Sequence, residues 1–287
     1  VRRPGESRLA AWLVMAPALC LSVAGFGIPA LYMARMSFNE HEPQTAFLPG
    51  FTFENYHRLV SDPLILTVIW NTARLALVAS VATVAIAYAF ALLVWLRPGR
   101  WRLLFVGVAL LPMLVSEIAT IFGWWTIFPK NGLLSYALVS SGLFQDKISL
   151  MYTESAALVG LVYVTLPYCF FILLSVFDGL DRRTLEASAD LGGPPWTTFA
   201  EIILPQTRVG LLAAFAQAFI WTMGAYATPL ALGPDTLWTL GYFIQDQMLG
   251  KHHWPMAAAL SMALTLAVSL MILLVRWLQP EQRSFHV

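Results

Sequence analysis

A single carboxylate, Glu117, interrupts an otherwise uncharged run of 27 residues between Arg102 and Lys130. A charge in a run this apolar costs roughly 2.5–3.5 kcal/mol on membrane-insertion scales, so it must face a cavity or a partner. Two roles follow from that cost. Glu117 is either a cation-attracting group on a path, or a buried carboxyl that is protonated or paired with Arg74 or a neighbouring subunit. Thr120 stands three residues further on, and Tyr163, Tyr168, Trp221 and Tyr226 lie in later apolar runs. Ring faces add about 0.5–2 kcal/mol to a bound organic cation, although each such ring also has an ordinary use in packing or in a helix–helix hydrogen bond.

Other chemistries lack their residues. A phosphate-cradling loop needs G-x-x-x-x-G-K-[ST], and none of Lys130, Lys147 and Lys251 has that context. Neither a G-x-S-x-G elbow nor an H-E-x-x-H helix occurs. His252-His253 has no third ligand nearby, which favours a solvated loop over a metal site. Cys20 and Cys169 sit in separate apolar runs and read as small buried fillers.

The elements that would position these groups follow from composition. Hydrophobic residues make up 59% of the 287 positions and charged residues 11%, with a net charge of +1 and a mean hydropathy of +0.69. So few charges cannot coat a soluble domain, and no basic stripe marks a nucleic-acid partner. A bilayer crossing takes about 20 apolar residues. Uncharged runs of 26, 22, 23, 26 and 24 residues begin after Arg8, Arg74, Glu154, Arg208 and Lys251, and the run holding Glu117 makes six. The chain is therefore expected to be an all-α integral membrane protein, one domain over 1–287. Its expected spans are about 9–34, 69–96, 103–128, 155–177, 209–232 and 255–277. The first is too long for a signal-peptide core and reads as a retained helix.

Six spans put both termini on one side. Arg2, Arg3, Arg8, Arg97, Arg100, Arg102, Arg182, Arg183, Arg208, Arg276 and Arg283 flank that side, against Arg35, Arg58, Lys130, Lys147 and Lys251 on the other. The excess places both termini in the cytoplasm. Trp12, Trp70, Trp95, Trp101, Trp124, Trp125 and Trp277 fall near span ends, where an interfacial belt is expected for most of them. In the fifth span, Gly224-Ala225 and Pro229 predict close packing with a local break.

The loop at 178–208 is long and patterned, and long loops are seldom idle. Glu186-Ala187-Ser188-Ala189-Asp190-Leu191 favours a helix, and Gly192-Gly193-Pro194-Pro195 stops it. A second helix is expected after Pro195 with Trp196, Phe199 and Ile203 on one face, broken by Pro205 before the fifth span. Such a helix–turn–helix is a docking element for a cytoplasmic partner or an amphipathic helix on the membrane surface.

Glu186-Ala187-Ser188, then Gly192, then nine residues and Ile202-Ile203-Leu204-Pro205, resembles the EAA loop of membrane subunits of binding-protein-dependent ABC importers. The pattern departs only at Ser188, where the family has its second alanine. Asn71-Thr72 at the head of the second span also resembles that family, and further resemblance, to its polyamine (spermidine/putrescine) branch, lies in Asp62-Pro63-Leu64, Asn131-Gly132-Leu133-Leu134, residues 161–168, Leu180-Asp181 and Trp254-Pro255. That branch often carries an arginine where Thr120 stands, with Glu117 nearby here instead.

The resemblance implies a type I importer permease (MetI-like) of six transmembrane helices in the bacterial inner (plasma) membrane. The chain would form half of a translocation path for a small organic cation such as spermidine or putrescine. Its implied partners are a second, homologous permease subunit, two ATPase subunits, a periplasmic solute-binding protein and membrane lipid, with no nucleic acid. No cofactor belongs to this chain, because ATP and Mg2+ sit on the ATPase. Glu186, Ala187, Ser188, Asp190, Gly192, Ile202, Leu204 and Pro205 are the implied coupling residues. Glu186 would meet the ATPase rim, Gly192 permit the turn, and Leu204 with Pro205 anchor the second helix, while Asp190 docks or merely hydrates the turn. Glu117, Thr120, Tyr163, Tyr168, Trp221 and Tyr226 are candidates for the path, and Asp235 and Asp246 for contact with the binding protein. The same machinery could carry an opine, an aminophosphonate or an amino-acid derivative. A membrane-embedded enzyme would need a second acid/base group beside Glu117, and a secondary transporter an inverted repeat with ion-coupling carboxylates.

Overall fold

A computed structural model describes residues 4–42, 45–97 and 99–278. Arg2, Arg3 and Arg283, expected on the cytoplasmic flank, and Pro98 lie outside the described residues, and so do the side chains of residues 1–11. The described chain is helical. Its elements are α1 (residues 4–36, with a π turn at Val23–Gly27), α2 (Glu54–Ser61), α3 (Pro63–Leu96), α4 (Arg100–Leu114), α5 (Glu117–Ile127) and α6 (Leu133–Ser140). There follow α7 (Glu154–Asp178), α8 (Arg182–Asp190), α9 (Pro195–Met223), α10 (Ala227–Leu232), α11 (Leu240–Gln245, continued by a π turn to Gly250) and α12 (Trp254–Leu278).

Five helices are long and apolar enough to cross a bilayer by themselves: Trp12–Met36, Pro63–Leu96, Glu154–Asp178, Pro195–Met223 and Trp254–Trp277. The third expected span, 103–128, is not one helix. Between α4 and α5 the axis turns by 102°. Pro112 removes a donor from the last turn of α4, and Val115 and Ser116 then adopt extended backbone before Glu117 restarts the helix. The fifth expected span also ends early. Helix α9 stops at Met223, Gly224 to Tyr226 break it, and α10 resumes at Ala227, so the break expected at Gly224-Ala225 is present.

Two starts are corrected. Helix α3 begins at Pro63, not near 69, where Asp62 Oδ1 accepts from the Leu64 amide at 2.8 Å. Helix α9 begins at Pro195 and runs through Pro205 without stopping. The missing Pro205 amide falls at the end of a π turn, Thr198–Ile203, where the ladder is already shifted to i→i+5 and Leu204 donates to Phe199.

The chain divides into two compact units. The first comprises Val1–Leu66 and Phe243–Thr265. Within it, Phe38 stacks on Phe51 at 4.8 Å and meets Phe53 edge-on, and Asn55 donates to the carbonyls of Ser37 and Asn39. His41 stacks on His253 with ring centroids 3.9 Å apart.

The second unit, Thr67–Tyr242 with Leu266–Val287, holds α7 at its centre. Small residues let α3 and α9 approach α7 closely: Ala87, Ala91, Ala214 and Ala218 are buried around Phe170, Leu173 and Phe177. Side-chain bonds join the helices where the packing is tightest, Thr83 to Thr165 at 2.9 Å and Tyr88 to Thr207 at 2.9 Å. Dispersion and such bonds hold helices together where lipid offers no hydrophobic drive. Cys169 is buried there, as expected, but Cys20 is exposed on α1. Trp12, Trp70, Trp101, Trp125 and Trp277 are exposed as belt residues would be, whereas Trp95 is buried and Trp124 stacks inward on Phe128.

Candidate functional site

Two places in the second unit gather the residues that sequence chemistry points to. The first is the segment between α7 and α9. Asp181 caps α8 through its side chain, and α8 closes in a Schellman turn, with Gly193 donating to the Ser188 carbonyl and Gly192 to that of Ala189. Gly192 has φ +76°, a conformation costly for any residue with a Cβ. Chain reversal is completed by Pro194 in extended geometry ahead of Pro195.

The two helices of the segment are joined by Ser188, whose Oγ lies 2.8 Å from Thr198 Oγ1. Serine in place of a second alanine is thus a bonded group in this fold. Phe199 and Ile203 turn into the core beside Trp95 and Phe177, together with Leu185 from α8. Leu204 and Pro205, expected as anchors, are exposed, so Phe199 and Ile203 do the anchoring one turn earlier. Ile202 is half-buried. Glu186, Ala187 and Asp190 are exposed, as are Leu191 at 89% and Trp196 at 73%. Acidic and apolar groups side by side, on a hairpin pinned to the core, form a surface suited to a protein partner.

The second place is a cleft of about 100 Å³ at the bend between α4 and α5. It is lined by Pro112, Met113 and Val115 from the bend, Glu117 and Thr120 from α5, Tyr163, Val164 and Tyr168 from α7, and Trp221 from α9. Five of the six path candidates therefore meet in one cavity. Tyr226 does not line it; it stands half-buried at the break before α10. Tyr168 stacks on Trp221 at 5.0 Å, and Tyr163 meets Trp124 edge-on at 5.5 Å.

Glu117 is the first residue of α5, where the helix dipole favours a negative charge. Arg74, offered as a partner for Glu117, instead pairs with Glu154. The carboxylate of Glu117 accepts a hydrogen bond from Thr228 Oγ1 on α10 at 2.7 Å. Trp125 Nε1 adds a second link by donating to the Ala231 carbonyl at 3.1 Å, so α5 and α10 are tied together. Thr228 is a residue that sequence reasoning missed. A threonine in an apolar helix ordinarily bonds its own backbone, and nothing in its neighbours' types marks this one. The arrangement can hold a small cation against one carboxylate and a wall of rings; no second carboxylate, histidine or cysteine is among the residues that line it.

The remaining candidates lie elsewhere. Asp246 pairs with Lys251 at 3.5 Å, and Asp235 offers its backbone carbonyl to Trp238. His252 adopts φ +52° in the turn before α12, and His253 stacks on His41. No cluster of three or more His, Cys, Asp or Glu able to hold a metal occurs among the described residues.

Comparison with known proteins identifies the family of the chain. The family model for "Binding-protein-dependent transport system inner membrane component" matches residues 84–284. The chain is 30% identical to the spermidine/putrescine transport system permease protein PotB of Haemophilus influenzae, over 85% of each chain. It is 32% identical to PotB of Escherichia coli K12, over 87% of this chain and 90% of that one. Among solved structures it superposes on a bacterial ABC transporter involved in the import of the acidic polysaccharide alginate, with a TM-score of 0.77 at 14% identity, covering 97% of this chain and all of that one.

Proposed function

The chain belongs to the family of binding-protein-dependent transport system inner membrane components, and we propose that the solute crossing its path is a polyamine or a related small organic cation. It is a transport subunit, not an enzyme. The observation that carries the cargo reading is the cleft at the α4–α5 bend. Fold alone does not choose a cargo, since the alginate importer shares the architecture and by its title takes an acidic polysaccharide. A carboxylate flanked by Tyr163, Tyr168 and Trp221 repels a polyanion and attracts an ammonium. The two relatives at 30% and 32% identity carry spermidine and putrescine by name, which supports the same choice.

In this reading a solute-binding protein delivers the cation to the outer mouth, and a second, homologous permease supplies the other half of the path. Two ATPase subunits bind below, each clasping a hairpin like that of α8 and the start of α9. ATP and Mg2+ reside on those subunits. The excess of arginine on one set of flanks supports an inner-membrane orientation with both termini in the cytoplasm. Exposed Glu186, Asp190, Leu191 and Trp196 are the surface the ATPase meets. The Schellman turn at Gly192 and the Ser188–Thr198 bond make the hairpin stiff enough to act as a lever.

The test is uptake by the whole importer in proteoliposomes. ATP-dependent accumulation of labelled putrescine or spermidine, undiminished by an excess of a neutral or acidic oligosaccharide, is the expected result. Accumulation of an opine, an aminophosphonate or an amino-acid derivative in place of both amines overturns the cargo.

A further inference from the structure

We infer that Thr228 is a positioning residue for the Glu117 carboxylate, seated by the bare backbone of Gly160, and that this bond sets the affinity of the path for a cation. The inference rests on the reading of Glu117 as a cation-binding group.

It begins with where hydroxyl groups go in this unit. Thr72, Thr165, Thr207 and Ser80 each donate to the carbonyl four residues earlier in their own helix, at 2.7, 2.8, 2.9 and 2.6 Å. That is the ordinary fate of a hydroxyl on an apolar helix. Thr228 cannot follow it. It is the second residue of α10, and the carbonyl four back belongs to Gly224, in the break where α9 has ended. The break thus releases one buried hydroxyl from its own backbone, and the hydroxyl reaches Glu117 Oε1 instead. Thr228 is 1% exposed, so no water competes for that donor.

Its rotamer is fixed from the other side. A Cβ placed on Gly160 would come within 2.6 Å of Thr228 Cγ2 and 2.8 Å of Leu232 Cδ1. Only glycine at 160 admits the threonine methyl, and the methyl seated there directs the hydroxyl toward α5. Gly160, Thr228 and Glu117 therefore form a chain from the central helix α7 to the cleft. With Oε1 held, the carboxylate is fixed at the cleft wall and its other oxygen is left for the cation. Freed, a glutamate regains side-chain rotamers that it must give up again to bind the cation.

The test compares Thr228→Val, Thr228→Ser and Gly160→Ala in the reconstituted importer, with labelled putrescine as the probe and copurification of the ATPase as the assembly check. Valine keeps the shape and removes the donor. It is expected to raise KM for putrescine roughly ten-fold, the scale of a hydrogen bond to a charged group, with the maximal rate retained. Serine restores the wild-type KM. Gly160→Ala leaves the hydroxyl present but displaced and raises KM in the same direction, so it carries the test where the valine variant fails to assemble. In a Glu117→Gln background the valine change adds less than two-fold, a coupling that a merely structural threonine would not show. Assembled Thr228→Val with wild-type KM, or valine and Gln effects that multiply independently, overturns the inference while leaving the cargo reading intact. Wild-type importer that takes up no putrescine or spermidine overturns the cargo reading, and this inference with it.

Discussion

Arg182 donates from Nη2 to the carbonyl oxygen of Trp95 at 2.8 Å and lays its guanidinium over the Trp95 indole, 5.2 Å from the ring centroid. One side chain thereby fixes the first turn of α8 to the end of α3, since Trp95 is itself buried against Phe177. A force applied at the exposed tip of the hairpin passes into α3 through this contact and into α9 through the continuous helix from Pro195.

Arg182→Lys removes the planar stack and cannot also reach the carbonyl in the same geometry. The expected outcome is retained assembly with solute-stimulated ATP hydrolysis lowered several-fold, and Arg182→Ala lower still. A cation–π contact and a charged hydrogen bond together are worth about 2 kcal/mol, enough to loosen the hairpin but not the bundle. Stimulated hydrolysis equal to wild type in both variants would show that α3 takes no part in coupling.

Gly192 and Gly193 are constrained by different physics, and their variants differ in cost. A Cβ on Gly192 meets nothing within 4 Å, so Gly192→Ala costs only the left-handed backbone, about 1 kcal/mol, and Gly192→Asn costs less. A Cβ on Gly193 would lie 2.8 Å from Ser188 Oγ and 2.9 Å from its carbonyl oxygen. Gly193→Ala must therefore break the Ser188–Thr198 bond. ATPase copurification should fall in the order wild type, Gly192→Asn, Gly192→Ala, Gly193→Ala; a Gly193→Ala variant that binds ATPase as well as wild type contradicts the geometry.

Glu117→Gln keeps an amide oxygen for Thr228 to donate to and removes the charge. The importer should assemble normally, and KM for putrescine should rise at least ten-fold. Unchanged affinity for the amine with normal assembly would remove Glu117 from the path.

How much of this was legible in the residues differs between the two places. Hydropathy located the spans because length and apolarity are what a bilayer demands. The hairpin was legible because Gly192, Pro194 and Pro195 are backbone instructions. What composition misjudged was proline inside a helix: Pro205 reads as a stop, yet a π turn absorbs it. The 102° bend at Val115 and Ser116 carries no Gly or Pro at the bend itself, so only Pro112, three residues earlier, hinted at it. Four cleft residues, Glu117, Tyr163, Tyr168 and Trp221, were legible by type because a carboxylate and rings are rare and telling in apolar runs, whereas Thr120 was named only through the resemblance. Thr228 was not legible, because the break at Gly224-Ala225 shows only where a helix ends, and that Glu117 of α5 lies within reach of the Thr228 hydroxyl is a tertiary fact.

His253 offers a pH test outside the spans. Its Nδ1 accepts from the Met256 amide at 3.1 Å, which fixes the imidazole in a neutral, capping form at the start of α12. Burial first, then His41 stacked on it and Arg58 beyond, push its pKa down to about 4, with Glu54 opposing. A depressed histidine stabilises the fold in its neutral form. That contribution is complete above about 6.5, the unfolded value, declines as pH falls, and is gone below about 4. Histidine NMR should show a ring titrating near 4 that disappears in His253→Gln, and that variant should lose the acid sensitivity of thermal unfolding between pH 6.5 and 4. A ring titrating at 6.5 would mean that the stack with His41 does not exclude water.

Gly210 tests the packing that carries both sites. A Cβ there would approach Val176 Cγ2 to 2.6 Å, so the bare backbone of Gly210 in α9 seats the Val176 side chain of α7. Overpacking a contact of this kind costs about 1–3 kcal/mol, because neither helix can retreat without moving the core around Phe177 and Ala214. Gly210→Ala should therefore lower the thermal midpoint of the purified complex and weaken ATPase copurification, since the start of α9 is part of the hairpin. Val176→Ala alone opens a small cavity and costs about 1 kcal/mol or less. Combined, the two changes remove both Val176 methyls and put one methyl into the space they leave, and the double variant should recover most of the midpoint lost by Gly210→Ala. Strict additivity of the two losses would mean that the helices are not in direct contact at this level, and the path by which α9 transmits motion to α7 would have to lie elsewhere.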